Sequence, residues 1–173
     1  MIVFIPIKHI SQRVPNKNFR IFGSEPLFKH TLLKYQGCKV YVDTDSDDIV
    51  NMIQEDRRLG NVKAFKRNQK LVGHKVSVCD LIKNFIYQFD ITEPIAQIHV
   101  TSPFLKKETV QDAYNKIKTS DFDSIVSCNV FKSRFWREED YGFCPINHNP
   151  LKMEQTQDLP TLYEENSAFY IFD

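Results

Sequence analysis

No run of apolar residues in this chain is longer than a few positions. A membrane-spanning helix needs about 20 of them, so the sequence holds none. The opening Met1-Ile-Val-Phe-Ile-Pro also lacks the basic start and long apolar centre of a secretory leader, and a cytoplasmic protein is expected. An excess of one charge is missing too. With 23 Lys and Arg against 22 Asp and Glu the net charge is +1, which gives no general field for nucleic acid or a membrane surface. Any basic function must therefore be local. Cysteine is sparse and scattered: Cys38, Cys79, Cys128 and Cys144 form no C-x-x-C pair, which argues against a zinc knuckle or a disulfide scaffold and for buried reduced thiols. Neither G-x-x-x-x-G-K-[ST] nor G-x-G-x-x-G occurs, so the common phosphate-loop and dinucleotide readings fail.

What is present is an alternation. At 173 residues the chain suits one domain, 1–173. Short apolar runs at 2–5, 39–42, 62–65, 96–100 and 123–130 read as strands. Between them, helix-spaced apolar residues fall around Leu27–Tyr35, at Ile49, Val50 and Ile53, at Val78, Ile82, Phe85 and Phe89, and at Val110, Ala113, Tyr114 and Ile117. Strand, helix, strand in repetition predicts an α/β fold with a mainly parallel sheet. After Val130 the period is lost among aromatics, charges and prolines, and "SAFYIF" then gives one more strand. The stretch 131–159 reads as an insertion before the last strand, either an irregular surface loop or an arm that faces a partner.

In an open parallel sheet, ligands bind beyond the carboxyl ends of the strands, and four such loops carry chemistry. The first holds Lys8, His9, Gln12, Arg13, Lys17 and Arg20, and is either a solvated connection or a grip on phosphate. The second, "VDTDSDDI", places Asp43 and Asp45 after a strand. Ser46 or Asp45 suits a helix N-cap with Asp47 and Asp48 in the first turn, and Asp43 or Asp45 could instead ligate Mg²⁺, which needs only one or two carboxylates beside substrate oxygens. The third offers Arg67 at a strand end, where a planar fork can take a phosphate, followed by His74 and Lys75. The fourth offers Thr101 and Ser102, which either cap a loop or hydrogen-bond a ligand.

Read together, these stretches resemble the cytidylyltransferases that activate sialic acids and related eight- or nine-carbon sugar acids as CMP conjugates. "IPIKHISQRVPNKN" is similar to that family's "IPARGGSKRVPNKN", "VYVDTDSDDI" to "V.VSTDSEEIA", and "HVTSPFLKKETVQDA" to "QPTSPLR…I..A". "DSIVSCNVFKSRFW" is similar to "DSVVSV…HPFW", and "QDLPTLYEENSAFYIF" to "RQDLP..YRENGAIYI". The five matches keep their order along the chain.

The resemblance implies a Rossmann-like nucleotidyltransferase in which a sugar hydroxyl attacks the α-phosphorus of CTP, Mg²⁺ screens the phosphates and pyrophosphate leaves. It implies catalytic roles for Lys8, Gln12 and Arg13, nucleotide contacts at Ser11, Asn18, Arg67 and Ser77, and sugar-acid contacts at His99, Thr101, Ser102 and Asn166. It makes 131–159 a dimerisation arm, so the expected partners are CTP, a sugar acid and a second copy of the chain. A non-catalytic nucleotide- or sugar-binding homologue, or transfer to another acceptor, are the alternatives. Several positions depart from the pattern: His9 and Ile10 replace two glycines, Gln12 a Lys, His99 a Gln, Thr156 and Glu164 two Args, and Ser167 a Gly. The family continues beyond the last matching strand into a segment whose aspartates hold metal. Here the sequence ends at Asp173, so it is a shortened form of such a protein, or other carboxylates such as Asp43 and Asp45 hold the metal, or the reaction is not catalysed. The metal ligands stay open, with Asp43 and Asp45 as candidates.

Overall fold

A computed structural model describes residues 1–173. Its organising element is β1 (Ile2–Ile7), five of whose six residues are buried. Alternation of side chains along a strand sends Val3, Ile5 and Ile7 into one apolar cluster and Ile2 and Phe4 into another. A strand covered on both faces has no polar side, which explains the unbroken apolar run at the start of the sequence.

Parallel neighbours flank β1: β4 (Lys39–Thr44), with Ile2 opposite Lys39, and β6 (Ile95–Ile98), with Ile2 opposite Ile95. Outside β4 lies β5 (Val62–Lys66), also parallel. On the far side of β6, Phe169–Phe172 of β10 (Leu162–Phe172) run antiparallel, followed by the edge strand β7 (Ser124–Phe131). The sequence-based expectation of a mainly parallel sheet flanked by helices agrees with this order, and the final strand supplies the antiparallel member.

Helices α1 (Leu27–Leu33), α2 (Asp47–Glu55) and α4 (Lys107–Lys118) cover one face through Phe28, Leu32, Ile49, Ile53, Val110 and Tyr114. Helix α3 (Val78–Phe89) covers the other face with Leu81, Ile82 and Phe85. Phe85 is fully buried and stacks on Phe4 with ring centroids 4.6 Å apart, and truncating such a side chain to alanine costs about 3–5 kcal/mol. Ser46 caps α2 by accepting from Ile49 N–H at 3.3 Å. A short hairpin, β2 (Ile21–Phe22) with β3 (Glu25–Pro26), turns at Gly23, whose φ of +68° suits glycine. Two-residue strands leave too little pattern to read in a sequence.

By contacts the chain forms two units, Met1–Val126 with Ala168–Asp173, and Ser127–Ser167. The second is wider than the insertion expected at 131–159, because β7 and β10 extend into it. It contains the antiparallel hairpin β8 (Trp136–Glu139) and β9 (Gly142–Pro145). Its hub is the buried Asn147, which accepts from Phe135 N–H at 2.9 Å and donates to the Ser133 carbonyl at 2.8 Å. No cysteine is disulfide-bonded, but only Cys38 is buried. Cys79 lies on the solvent face of α3, opposite Leu81 and Phe85, which corrects the expectation of four core thiols.

Candidate active site

The parallel register brings the ends of β1, β4, β5 and β6 to one rim, so that Lys8, Asp45, Arg67 and His99 each stand one residue past their strands. A cavity of about 360 Å³ opens there. From the opening loop it is lined by Lys8, Ser11, Gln12, Arg13 and Asn18, from the β5 end by Arg67, and from the β6 end by His99 and Thr101. Lys17 and His74 also line it, and no carboxylate does.

The opening loop folds on itself. Lys17 N–H donates to the Val14 carbonyl at 3.2 Å and Phe19 N–H to the Asn16 carbonyl at 3.0 Å, while Asn16 takes a left-handed φ of 52°. Asn18 is buried and its Nδ2 donates to the Lys8 carbonyl at 2.7 Å, which fixes where the Lys8 side chain leaves the backbone. That side chain donates from Nζ to the Gly73 carbonyl at 2.9 Å. The loop is also pinned to the start of α2: His9 N–H donates to Asp45 Oδ1 at 2.6 Å, and His9 Nδ1 lies 2.8 Å from Ser46 Oγ. His9 thus holds, through its side chain, a loop in which the resembled sequences have two glycines. A second cavity of about 470 Å³ adjoins this one, with Lys8, Ile10 and His74 lining both.

Arg67 sits deeper. Its side chain is 1% exposed and that of Asp43 0%. Nε donates to Asp43 Oδ1 at 2.5 Å, Nη2 to the Asp43 carbonyl at 3.1 Å, and the Arg67 N–H to the Thr44 carbonyl at 2.8 Å. Arg67 Nη1 and Asp43 Oδ2 are enclosed without a partner. Burial pushes the Asp43 carboxyl above its ordinary value, and the Arg67 guanidinium opposes that rise. The pair is neutral as a unit, so the free positive charge in the cavity rests with Lys8, Arg13 and Lys17. Burial, and then the Arg13 cation, lower the Lys17 ammonium from its ordinary value.

Two residues expected at the site stand elsewhere. Ser77 caps α3, accepting from Asp80 N–H at 3.1 Å and donating to Asp80 Oδ2 at 2.7 Å. Ser102 makes the turn after β6, its N–H donating to the His99 carbonyl at 3.3 Å, and Thr101 lines the cavity in its place. Asn166 lies in the second unit, where its Nδ2 donates to Asn129 Oδ1 at 3.0 Å and Ser127 donates to its Oδ1 at 2.7 Å. The carboxylates expected to hold Mg²⁺ do not fit that role: Asp43 is enclosed and committed to Arg67, and Asp45 accepts from the His9 backbone. No three His, Cys, Asp or Glu side chains converge to hold a metal ion. Lys17 and His74 were present in the sequence among other surface-type residues, and nothing in its pattern separated Lys17, which reaches the cavity, from Arg20, which turns back to the Pro15 carbonyl at 3.2 Å.

A parallel α/β sheet with a cationic cavity at the carboxyl ends of its strands defines a binding fold for anionic ligands of the nucleotide type. The particular family follows from comparison with known proteins. The profile of the cytidylyltransferase family matches residues 2–172, and the chain belongs to that family. It is 24% identical over 179 residues to the N-acylneuraminate cytidylyltransferase of Streptococcus agalactiae, with 98% of this chain and 42% of that protein covered. It is 26% identical to the CMP-N,N'-diacetyllegionaminic acid synthase of Legionella pneumophila, covering 98% of this chain and 73% of that one. Among solved structures, a CMP:2-keto-3-deoxy-manno-octonic acid synthetase complexed with CTP superposes with a TM-score of 0.68 at 16% identity, covering 99% of this chain and 73% of that chain. The chain spans about two-fifths of the length of the streptococcal relative. No helix is long and apolar enough to cross a membrane.

Proposed function

We propose that this chain carries the nucleotide site of an enzyme that transfers CMP from CTP to the hydroxyl of a sugar acid, releasing pyrophosphate, in the cytoplasm where CTP is held. The observation that supports it best is the shared cavity: three unpaired cations from one loop face a space free of carboxylates, at the sheet edge where such folds bind nucleotides. Phosphoryl transfer needs mainly positioning and charge neutralisation. Lys8, Arg13 and Lys17 supply the charge, while Ser11, Gln12, Asn18 and Thr101 supply neutral hydrogen-bonding groups around it. The three relatives and neighbours above are named for N-acylneuraminate, N,N'-diacetyllegionaminic acid and 2-keto-3-deoxy-manno-octonic acid, and this chain takes a sugar acid of that kind in our reading.

The reading includes a second copy of the chain. In the second unit Tyr141, Leu151 and Met153 are exposed to 102%, 95% and 79%, with Phe143 and Tyr163 also exposed, which is much apolar surface for one small lobe to leave in water. The function is tested by calorimetry with CTP, followed by pyrophosphate release across N-acylneuraminate, N,N'-diacetyllegionaminate and 2-keto-3-deoxy-manno-octonate. CTP binding with turnover on one of these is expected. No heat at millimolar CTP would overturn the proposal.

A further inference from the structure

The transfer proposed above must remove a proton. As the acceptor oxygen forms its bond to the α-phosphorus, the bond from that phosphorus to the β-bridging oxygen breaks and pyrophosphate departs with the electron pair. The hydroxyl proton has to go to a base. The cavity lining of this chain offers candidates. It contains no Asp or Glu, and Lys8, Arg13, Lys17 and Arg67 are cations with no acceptor site. Of the side chains that line it, those of His74 and His99 are imidazoles, which carry a ring nitrogen able to accept a proton.

Their placement differs. His74 is exposed, on the loop between β5 and α3. His99 follows β6 directly and is half-buried, its backbone N–H donating to the Ala168 carbonyl of β10 at 3.2 Å and its ring 6.0 Å from the ring of Tyr170. It is fixed by two strands of the central sheet, which hold a reacting group more closely than a loop does. Thr101 flanks it on the same segment, and Lys17 and Arg13 face the cavity from the opening loop, where they can stabilise an oxygen that is losing its proton. Arg67, neutralised by Asp43, and His74 also line the cavity.

We propose that His99 is the proton acceptor for the sugar hydroxyl in this chain, at a position where the resembled sequences carry Gln, which cannot take a proton. The assignment rests on the nucleotidyl-transfer reading. Burial, and then the Lys17 cation, push the His99 imidazole below its ordinary value of 6.5, so that it is neutral, and able to accept, at neutral pH.

The test is pyrophosphate release between pH 5 and 9 by the full chain and by His99→Gln and His99→Ala, with CTP and the three sugar acids named above, beside calorimetry with CTP. The wild type should lose activity as pH falls through the His99 pKa. His99→Gln should lower kcat by roughly 10²–10⁴-fold, abolish that acid limb and bind CTP within about twofold of wild type, as 0.4 kcal/mol of binding energy corresponds to about that ratio. A His99→Gln enzyme that keeps its kcat, or keeps the acid limb, overturns the assignment while leaving nucleotidyl transfer intact. CTP binding without turnover on any of the acids also overturns it, and absence of CTP binding by the wild type removes both readings.

Discussion

Arg67 and Asp43 form an enclosed ion pair, Nε to Oδ1 at 2.5 Å, at the ends of two adjacent parallel strands. The register sets Thr44 beside Lys66, so the residue before the first and the residue after the second meet across the gap. Two residues that looked separately like a metal ligand and a phosphate fork are each other's counter-ion.

Breaking that pair on one side leaves a buried charge unpaired. Asp43→Asn should lower unfolding free energy by about 3 kcal/mol, read by urea denaturation. The double variant Asp43→Leu with Arg67→Met should recover most of it, since apolar groups of similar volume replace buried ion pairs at little cost. If Arg67 also shapes the nucleotide cavity, the double variant will be stable yet bind CTP more weakly. Full recovery of both properties would make the pair purely structural.

The opening loop carries the exposed charge, and Lys8→Ala and Arg13→Ala should each weaken CTP about tenfold, or about 1.4 kcal/mol. The effect should shrink as salt rises from 50 to roughly 500 mM, because screening lengths fall well below the size of the cavity. Calorimetry at the two salt concentrations reads both effects. Variants that bind CTP like wild type at low salt would place the triphosphate elsewhere.

Ser167 occupies a left-handed conformation with φ of 55°, where the resembled sequences have Gly. A residue with a Cβ is strained there by about 1–2 kcal/mol, so Ser167→Gly should raise the thermal midpoint by a few degrees. Scanning calorimetry decides it, and an unchanged or lower midpoint would mean that contacts of the serine outweigh the strain.

His99 also links stability to pH. Its folded-state pKa lies below the unfolded value of 6.5, so the unfolded chain binds more protons in that window. The stability it contributes is complete above about pH 6.5 and is lost as pH falls through the folded value. The urea midpoint should drop between pH 7.5 and 5.5 by more in the wild type than in His99→Gln.

The exposed apolar residues of the second unit predict self-association. At micromolar concentration the chain should sediment as a dimer, and Leu151→Lys with Tyr141→Lys should yield a folded monomer. A wild-type monomer at that concentration would rule out the arm as an interface.

The alternation of strands and helices was legible because each buried strand of a parallel sheet must be apolar on both faces and each helix on one, and those periods are written locally. The first unit's strands at 2–7, 39–44, 62–66 and 95–98 therefore stand within a few residues of where the sequence puts them. Apart from β7, read at 123–130 and found at Ser124–Phe131, the second unit was not legible. β8 and the first half of β10 are exposed on most residues, so no apolar period marks them. Ser77 and Ser102 shared their chemistry with Thr101, and only the turn geometry decided that Thr101 faces the cavity while the serines cap a helix and close a turn.

By itself the sequence determined the sheet, its flanking helices and the concentration of cations in one early loop, because hydrophobic period and local charge are properties of neighbouring residues. Tertiary structure alone decided that Asp43 answers Arg67, that Lys17 enters the cavity while Arg20 does not, and that no carboxylate shares that space with His99. Those outcomes depend on strand register and on the path of a loop, which bring together groups tens of residues apart whose encounter no local pattern records.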